Sequence, residues 1–163
     1  MEEERCFYLA WQLLLPGQSR RLHRIFAAFG SARAAFTASL ADLVPALGKR
    51  QAEEVVKRRD ALDIGLEMDK LKQAGVGFLT LADDAYPAPL RRIFDPPAAL
   101  FYSGELYPEE TAVAVVGTRR CSSYGQLVAE RLGRELAEAG VTVVSGLARG
   151  VDTAAHRGAL AGG

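Results

Sequence analysis

The sequence predicts an α/β chain with two domains, an all-helical domain over residues 1–74 and a parallel-sheet domain over residues 75–163. Two observations carry this prediction. The first part of the chain places apolar residues at helical spacing. The second part contains two short, β-branched apolar runs, and each leads through a glycine-containing loop into a helical pattern. A chain of 163 residues has room for one small domain and part of another.

Apolar stripes and capping residues predict the helices of the first domain. The first two stripes end at Pro16-Gly17 and at Gly30. Ser31 and Ser39 are N-cap candidates for the third and fourth helices, because a serine hydroxyl accepts a hydrogen bond from a free amide at a helix start. The charged stretch 49–62 predicts an exposed helix.

Two turns of this domain, at residues 14–17 and 43–48, place a proline between an apolar helix and a basic one. Such turns connect the helices of a compact domain. Helix–hairpin–helix modules also use them to present backbone amides to DNA phosphates. Both interpretations stay open for this chain.

The second domain begins with a predicted strand at residues 77–81 and a second at residues 99–102. Between them, the stretch 83–97 is rich in proline and aspartate. It is expected to form a long ordered loop.

The run 112–116 is nearly all apolar, as is typical of a strand buried on both faces of a parallel sheet. Ser123 is the candidate N-cap of the next helix, with Gln126 as its capping-box partner, and Gly140 ends that helix. Residues 141–144 form the next predicted strand. The apolar stripe of the helix consists of Leu127, Val128, Leu132 and Leu136.

The loops that follow parallel strands meet at the carboxyl edge of the sheet, where open α/β folds bind ligands. Loops 117–120 and 145–150 are therefore expected to be neighbours whose backbone amides, with Arg119, hold a phosphate. The alternative is that Arg119 is a loop cation paired with a carboxylate. The candidate DNA- or phosphate-binding residues are Gly117, Thr118, Arg119, Arg120, Ser122, Tyr124, Ser145, Gly146, Arg149 and Gly150.

Four residues have a structural and a functional interpretation each, and for Asp152 and His156 the functional alternative is a role in chemistry. Tyr124 either stacks on a base or packs on the loop. Asp152 is expected to cap the last helix, and His156, four residues later, to be a satisfied structural histidine. Cys121 lies beside arginines, which can lower the pKa of a thiol, but its position is interpreted as incidental.

Composition and missing motifs exclude several functions. The 20 basic and 20 acidic residues cancel, so any anion site must be local. Neither GxGxxG nor GxxxxGK[ST] occurs, which argues against a dinucleotide or P-loop site. All cations after Lys72 are arginines, whose planar fork fits phosphate, although codon bias also explains this.

The two cysteines, Cys6 and Cys121, show no metal-binding spacing, so no metal or other cofactor is expected and a reducing cytoplasm is the predicted location. The N-terminus does not resemble a signal peptide. The apolar run 7–15 is too short to cross a bilayer, so no membrane partner is expected.

In combination, these features resemble the DNA-processing protein A family, also called Smf. The resemblance covers about residues 81–160. Its residues are Tyr86-Pro87 with Leu90, Pro96-Pro97 with Leu100-Phe101 and Gly104, Val115 to Arg119, Ser122, Tyr124-Gly125, Ser145 to Asp152, Ala155-His156 and Ala159-Leu160.

The resemblance implies a SAM-like, or helix–hairpin–helix, first domain and a Rossmann-like second domain. It also implies a non-enzymatic, cytoplasmic protein that binds single-stranded DNA without sequence preference during natural transformation. Such a protein protects incoming strands, dimerises and helps to load the recombinase RecA. The family's Gly-Ser/Thr-Arg motif falls on Gly117-Thr118-Arg119, which implies that Arg119 contacts a DNA phosphate.

The family's Rossmann-like core continues beyond the point that corresponds to Gly163. Later strands, a further basic residue of the DNA pocket, and the surfaces for dimer and RecA contacts are therefore expected to be missing here. An enzyme of the related nucleotide-phosphate-binding group, such as a nucleoside-monophosphate hydrolase, is the alternative. It would need a Pro-Gly-Gly-x-Gly-Thr loop that this chain lacks. A third interpretation makes the helical domain a protein-interaction module.

Overall fold

A computed structural model describes residues 2–107 and 110–163. The chain forms two compact units, residues 1–108 and 109–163. The units divide later in the chain than the predicted domain boundary near Gly75, because residues of the first two strands pack on the helices. Phe78 and Ala99 form a buried cluster with Leu9 of the first helix.

Helices make up the first unit as far as Gln73, which confirms the all-helical prediction. They are α1 (Glu2–Leu14), α2 (Ser19–Phe29), α3 (Ala32–Thr37), α4 (Leu40–Leu47), α5 (Lys49–Asp60) and α6 (Ile64–Gln73). Both predicted serine caps are confirmed. Ser31 accepts from the amide of Ala34 at 2.9 Å. Ser39 accepts from the amide of Asp42, whose carboxylate accepts in return from the backbone of Ser39.

Trp11 lies in the core of this helical unit, with no side-chain surface left exposed. Its indole N–H donates to the carbonyl of Ala32 at 3.0 Å, which satisfies the one polar atom of the ring. The rings of Phe26 and Phe36 meet the indole edge-on. Because these contacts join α1, α2 and α3, a single buried ring holds three short helices together.

The expected turn at residues 43–48 is wrong, because Pro45 lies inside α4 and Gly48 alone joins α4 to α5. Both a local cap and tertiary packing keep this segment helical. The capping box at Ser39 starts the helix, and Leu43 and Leu47 are both buried on one face, one turn apart. The buried pair keeps the chain helical past the proline.

Two antiparallel strands complete the first unit, β1 (Gly77–Thr80) and β2 (Ala99–Tyr102), with Phe78 opposite Phe101. The stretch between them is ordered, as expected, and contains the short helix α7 (Ala88–Arg91). Tyr86 anchors this loop, since its hydroxyl donates to the carbonyl of Pro97 at 2.8 Å. Burial raises the pKa of Tyr86, and nearby Arg91 lowers it in part.

The second unit runs β3 (Ala112–Ala114), α8 (Ser123–Glu138), β4 (Thr142–Val144) and α9 (Val151–Gly162). β3 and β4 are parallel neighbours, with Val113 opposite Val143, which confirms the predicted parallel sheet. Gly140 follows the end of α8 with a φ of 72°, as predicted for the residue after a helix C-terminus.

Three features of α8 and the strand before it differ from expectation. Ser122 rather than Ser123 is the N-cap, and its hydroxyl accepts from the amide of Gly125 at 3.2 Å. Leu127, Val128 and Leu132 are exposed, and the buried residues of α8 are Ala129 and Gly133. The predicted strand 112–116 is likewise exposed except at Val115.

The helix α8 packs on α9 along a seam of glycine and alanine. A Cβ on Gly133 would overlap the carbonyl oxygen of Ala155, and a Cβ on Gly158 would overlap that of Glu130. The backbones therefore approach more closely than larger side chains allow. The buried residues of α8, Ala129 and Gly133, lie on this seam.

Among the helices in the described ranges, none is both long enough and apolar enough to cross a membrane.

We expect Gly158→Ala to destabilise the second unit by about 1–3 kcal/mol, since the added methyl group has to push two helix backbones apart. The measurement is urea denaturation followed by circular dichroism. Fluorescence of Trp11, the single tryptophan of the chain, reports the first unit separately.

The matched control is Gly125→Ala, on the same helix pair but with ordinary 3.5 Å contacts around the new Cβ. Because alanine is the better helix former, this change should be neutral or stabilise by about 0.5–1 kcal/mol. Equal stability of the two variants would show that the glycine seam is not tightly packed.

Candidate nucleic-acid interface

The loops after β3 and β4 meet at the carboxyl edge of the two parallel strands, as predicted. The amide of Val151 donates to the carbonyl of Thr118 at 3.2 Å. Gly150 has a φ of 84°, and a Cβ there would overlap the Thr118 oxygen and lie 2.9 Å from that of Arg119. A Cβ on Gly117 would meet the side chain of Val151 at 2.7 Å. Both glycines are therefore required for the loops to touch.

A cleft of about 630 Å³ opens between these loops. Its lining residues are Arg119, Arg120, Gly146, Leu147, Ala148 and Arg149. The three arginines are exposed. Within residues 2–107 and 110–163, no ion pair or hydrogen bond engages their guanidinium groups. The alternative that Arg119 is paired with a carboxylate is therefore wrong for the part of the chain that the structure covers.

The hydroxyl groups of the two loops form hydrogen bonds with the loop backbone and do not line the cleft. Thr118 accepts from the amide of Arg120 at 3.2 Å, and Ser145 donates to the carbonyl of Val115 at 2.6 Å. Thr153 donates to the carbonyl of Ala148 at 2.6 Å. Ser122 caps α8. The hydroxyls of Ser122 and Ser145 thus serve the fold of the loops, while the arginines face the open cleft.

Asp152 does not cap α9, contrary to expectation, because the N-cap position is Gly150. The Asp152 side chain is only 5% exposed, and its Oδ2 accepts from the amide of Ala148 at 3.4 Å. Asp152 Oδ1 and His156 Nε2 are both buried and find no partner among the described residues. A Cβ on Gly146 would lie 3.0 Å from Oδ2, so glycine lets the loop pass over the carboxylate.

Tyr124 lies on the first turn of α8 with 77% of its surface exposed and is not among the residues that line the cleft. This exposure removes the alternative in which Tyr124 packs on the loop. Cys121 is half-buried next to the N-cap of α8.

Sequence reasoning missed Leu147. It is 81% exposed, lines the cleft, and has a φ of 55°, the one non-glycine residue with positive φ in the described chain. Its position between two glycines of the loop is the signal that could have found it, since such loops often contain left-handed residues.

Four comparisons place this chain among known proteins. The family model for DNA recombination-mediator protein A matches residues 77–163. Protein Smf of Synechocystis is 31% identical over 96% of this chain and 41% of its own length. DNA processing protein DprA of Streptococcus pneumoniae is 46% identical over 52% of this chain and 30% of its own length. The X-ray structure of that DprA matches 96% of this chain and 54% of its own, with 27% identity and a TM-score of 0.68.

This chain therefore spans less than half the length of the two curated relatives, at 41% and 30%. The fold similarity extends over nearly all of the chain, because the aligned part is 96%. It includes the helical unit as well as the loops that form the cleft.

We expect Gly150→Ala to lower the free energy of unfolding and to separate the two loops, because the added Cβ collides with the backbone of residues 118 and 119. Gly140→Ala is the control. Gly140 also has positive φ, at 72°, but no atom lies within 4 Å of its Cβ. The control should cost only about 1–2 kcal/mol of backbone strain. Equal losses in chemical denaturation would contradict the close approach of the loops.

Proposed function

Because the chain belongs to the family of DNA recombination-mediator protein A, we propose that its second unit binds single-stranded DNA without sequence preference. The observation that carries the proposal is the cleft between the two loops. There, three exposed guanidinium groups have no acidic partner in the described parts of the chain.

The chemistry of the cleft suits a phosphate backbone. Arginine donates two parallel hydrogen bonds to phosphate oxygens and keeps its charge at any physiological pH. Arg119, Arg120 and Arg149 concentrate three positive charges on a molecule whose total formal charge is zero. A local cluster of this kind attracts a polyanion over distances of about one Debye length, roughly 8–10 Å.

We assign the glycines and Thr118 to the shape of the site and Tyr124 to a base contact. Gly117 and Gly150 allow the loops to touch, and Gly146 lets its loop pass the buried carboxylate of Asp152. Thr118 accepts the amide of Val151 through its carbonyl. Tyr124, exposed at the start of α8, is the candidate for a base contact beside the cleft.

The proposed lack of sequence preference follows from the guanidinium groups that line the cleft. Guanidinium groups contact phosphates, which are the same in every nucleotide, and phosphate contacts carry no sequence information. Single strands also bend more easily than duplexes, so successive phosphates can enter an open cleft.

The wider role is part of the same proposal. Family membership supports a function in DNA processing during natural transformation, in which the bound strand is protected and passed to RecA. It also supports a cytoplasmic location, a homodimer, and binding rather than catalysis as the activity. The chain spans 41% of the Smf relative, so the RecA and dimer contacts are proposed for the whole protein.

The test is a titration of the 163-residue chain with fluorescently labelled oligo-dT over a series of salt concentrations. Binding should weaken as salt is added. A plot of the logarithm of the binding constant against the logarithm of the salt concentration should have a slope of about −0.7 per phosphate neutralised. Arg119→Ala should weaken binding of all sequences about equally, by roughly three- to tenfold at low salt, and make the slope shallower by about 0.7.

Arg131→Ala is the matched control, because it removes the same formal charge from an arginine that pairs with Glu135 on α8 at 2.7 Å. It should leave affinity and slope close to those of the parent. If Arg119→Ala binds as tightly as Arg131→Ala at every salt concentration, the cleft is not the DNA site.

A further inference from the structure

Leu147 combines two unfavourable features in one residue. Its φ of 55° lies in the left-handed region, which costs a bulky residue about 1–2 kcal/mol relative to a right-handed conformation. Its side chain is also 81% exposed. Glycine or asparagine would adopt the same backbone with less strain and without an apolar surface in water.

Exposure alone would mean little, because single exposed leucines are common on protein surfaces. Leu160 on α9 is 83% exposed and has an ordinary helical backbone. Leu147 differs from Leu160 in its backbone conformation and in its position, since it lines the cleft that also contains Arg119, Arg120 and Arg149.

The surrounding loop holds Leu147 in this conformation. On one side, Ser145 is tied to the carbonyl of Val115 at 2.6 Å. On the other side, Ala148 is held twice, as its amide donates to Asp152 at 3.4 Å and its carbonyl accepts from Thr153 at 2.6 Å. With the loop anchored at Ser145 and Ala148, the backbone of Leu147 is held at the cleft.

We infer that Leu147 contacts the face of a nucleobase while the three arginines hold the adjoining phosphates. This inference rests on the proposed function and adds to it that the cleft recognises base and backbone together. An apolar side chain among guanidinium groups gains nothing from a phosphate, which is strongly hydrated. It does gain from a base, whose flat face is apolar and is present in all four nucleotides.

The contact explains why an apolar residue can serve binding without sequence preference. Every base offers a face, whereas the hydrogen-bonding edges differ between bases. The cleft therefore distinguishes a nucleic-acid strand from other polyanions and does not distinguish one base from another.

The experiment compares two labelled probes of equal length, oligo-dT and an oligonucleotide whose sugars carry no bases, on the complete 163-residue chain at fixed low salt. The parent should bind oligo-dT more tightly than the abasic strand. Leu147→Asn keeps a residue that tolerates positive φ and removes the apolar surface. It should weaken oligo-dT binding by roughly three- to tenfold and change abasic binding by less than about twofold.

Leu160→Asn is the control, since it replaces an equally exposed leucine of the same unit outside the cleft. It should bind both probes as the parent does, and thermal unfolding should show that both variants are folded. The inference is overturned if Leu147→Asn binds oligo-dT as the parent does. It is equally overturned if both probes weaken by the same factor, which would mean that Leu147 only shapes the loop. If the parent binds neither probe, the proposed function itself is wrong.

Discussion

The hydrogen bond from the amide of Val151 to the carbonyl of Thr118 joins the two loops on which the candidate site depends. It forms only because Gly150 has no side chain at a point where a Cβ would overlap the opposite backbone. Once the loops touch, the arginines from both lie around one cleft. Positive charge is thereby concentrated at one place, although the chain as a whole has a formal net charge of zero.

The seam between α8 and α9 gives this loop contact its support. Gly133 and Gly158 let the two helices approach to the limit set by their backbones. The start of α9 is therefore held beside the loop that precedes α8. Asp152, buried on the first turn of α9, then accepts the amide of Ala148 and ties the second loop to the same helix. The close packing of the two helices therefore also places the loops that carry the arginines.

Local signals in the sequence were informative where short-range physics decides. Ser31, Ser39 and Gly140 were placed correctly, because caps and helix ends depend on hydrogen bonds to amides or carbonyls a few residues away. The cap of α8 lies one residue before the predicted one, since Ser122 and Ser123 are both suitable. The arginine motif pointed to the cleft, whereas the left-handed backbone of Leu147 had only a weak local signal, its position between two glycines.

The sequence by itself determined the helical first part of the chain, the order of the four strands, the parallel pairing of β3 and β4, and the family to which the chain belongs. These depend on periodicity, on chain connectivity and on motifs. Only the tertiary structure decided that α8 packs on α9 through Gly133 and Gly158, that Asp152 is buried beneath the loop and that Leu147 lines the cleft. Burial and backbone strain are set by neighbours distant in the chain, and a local pattern carries no record of them.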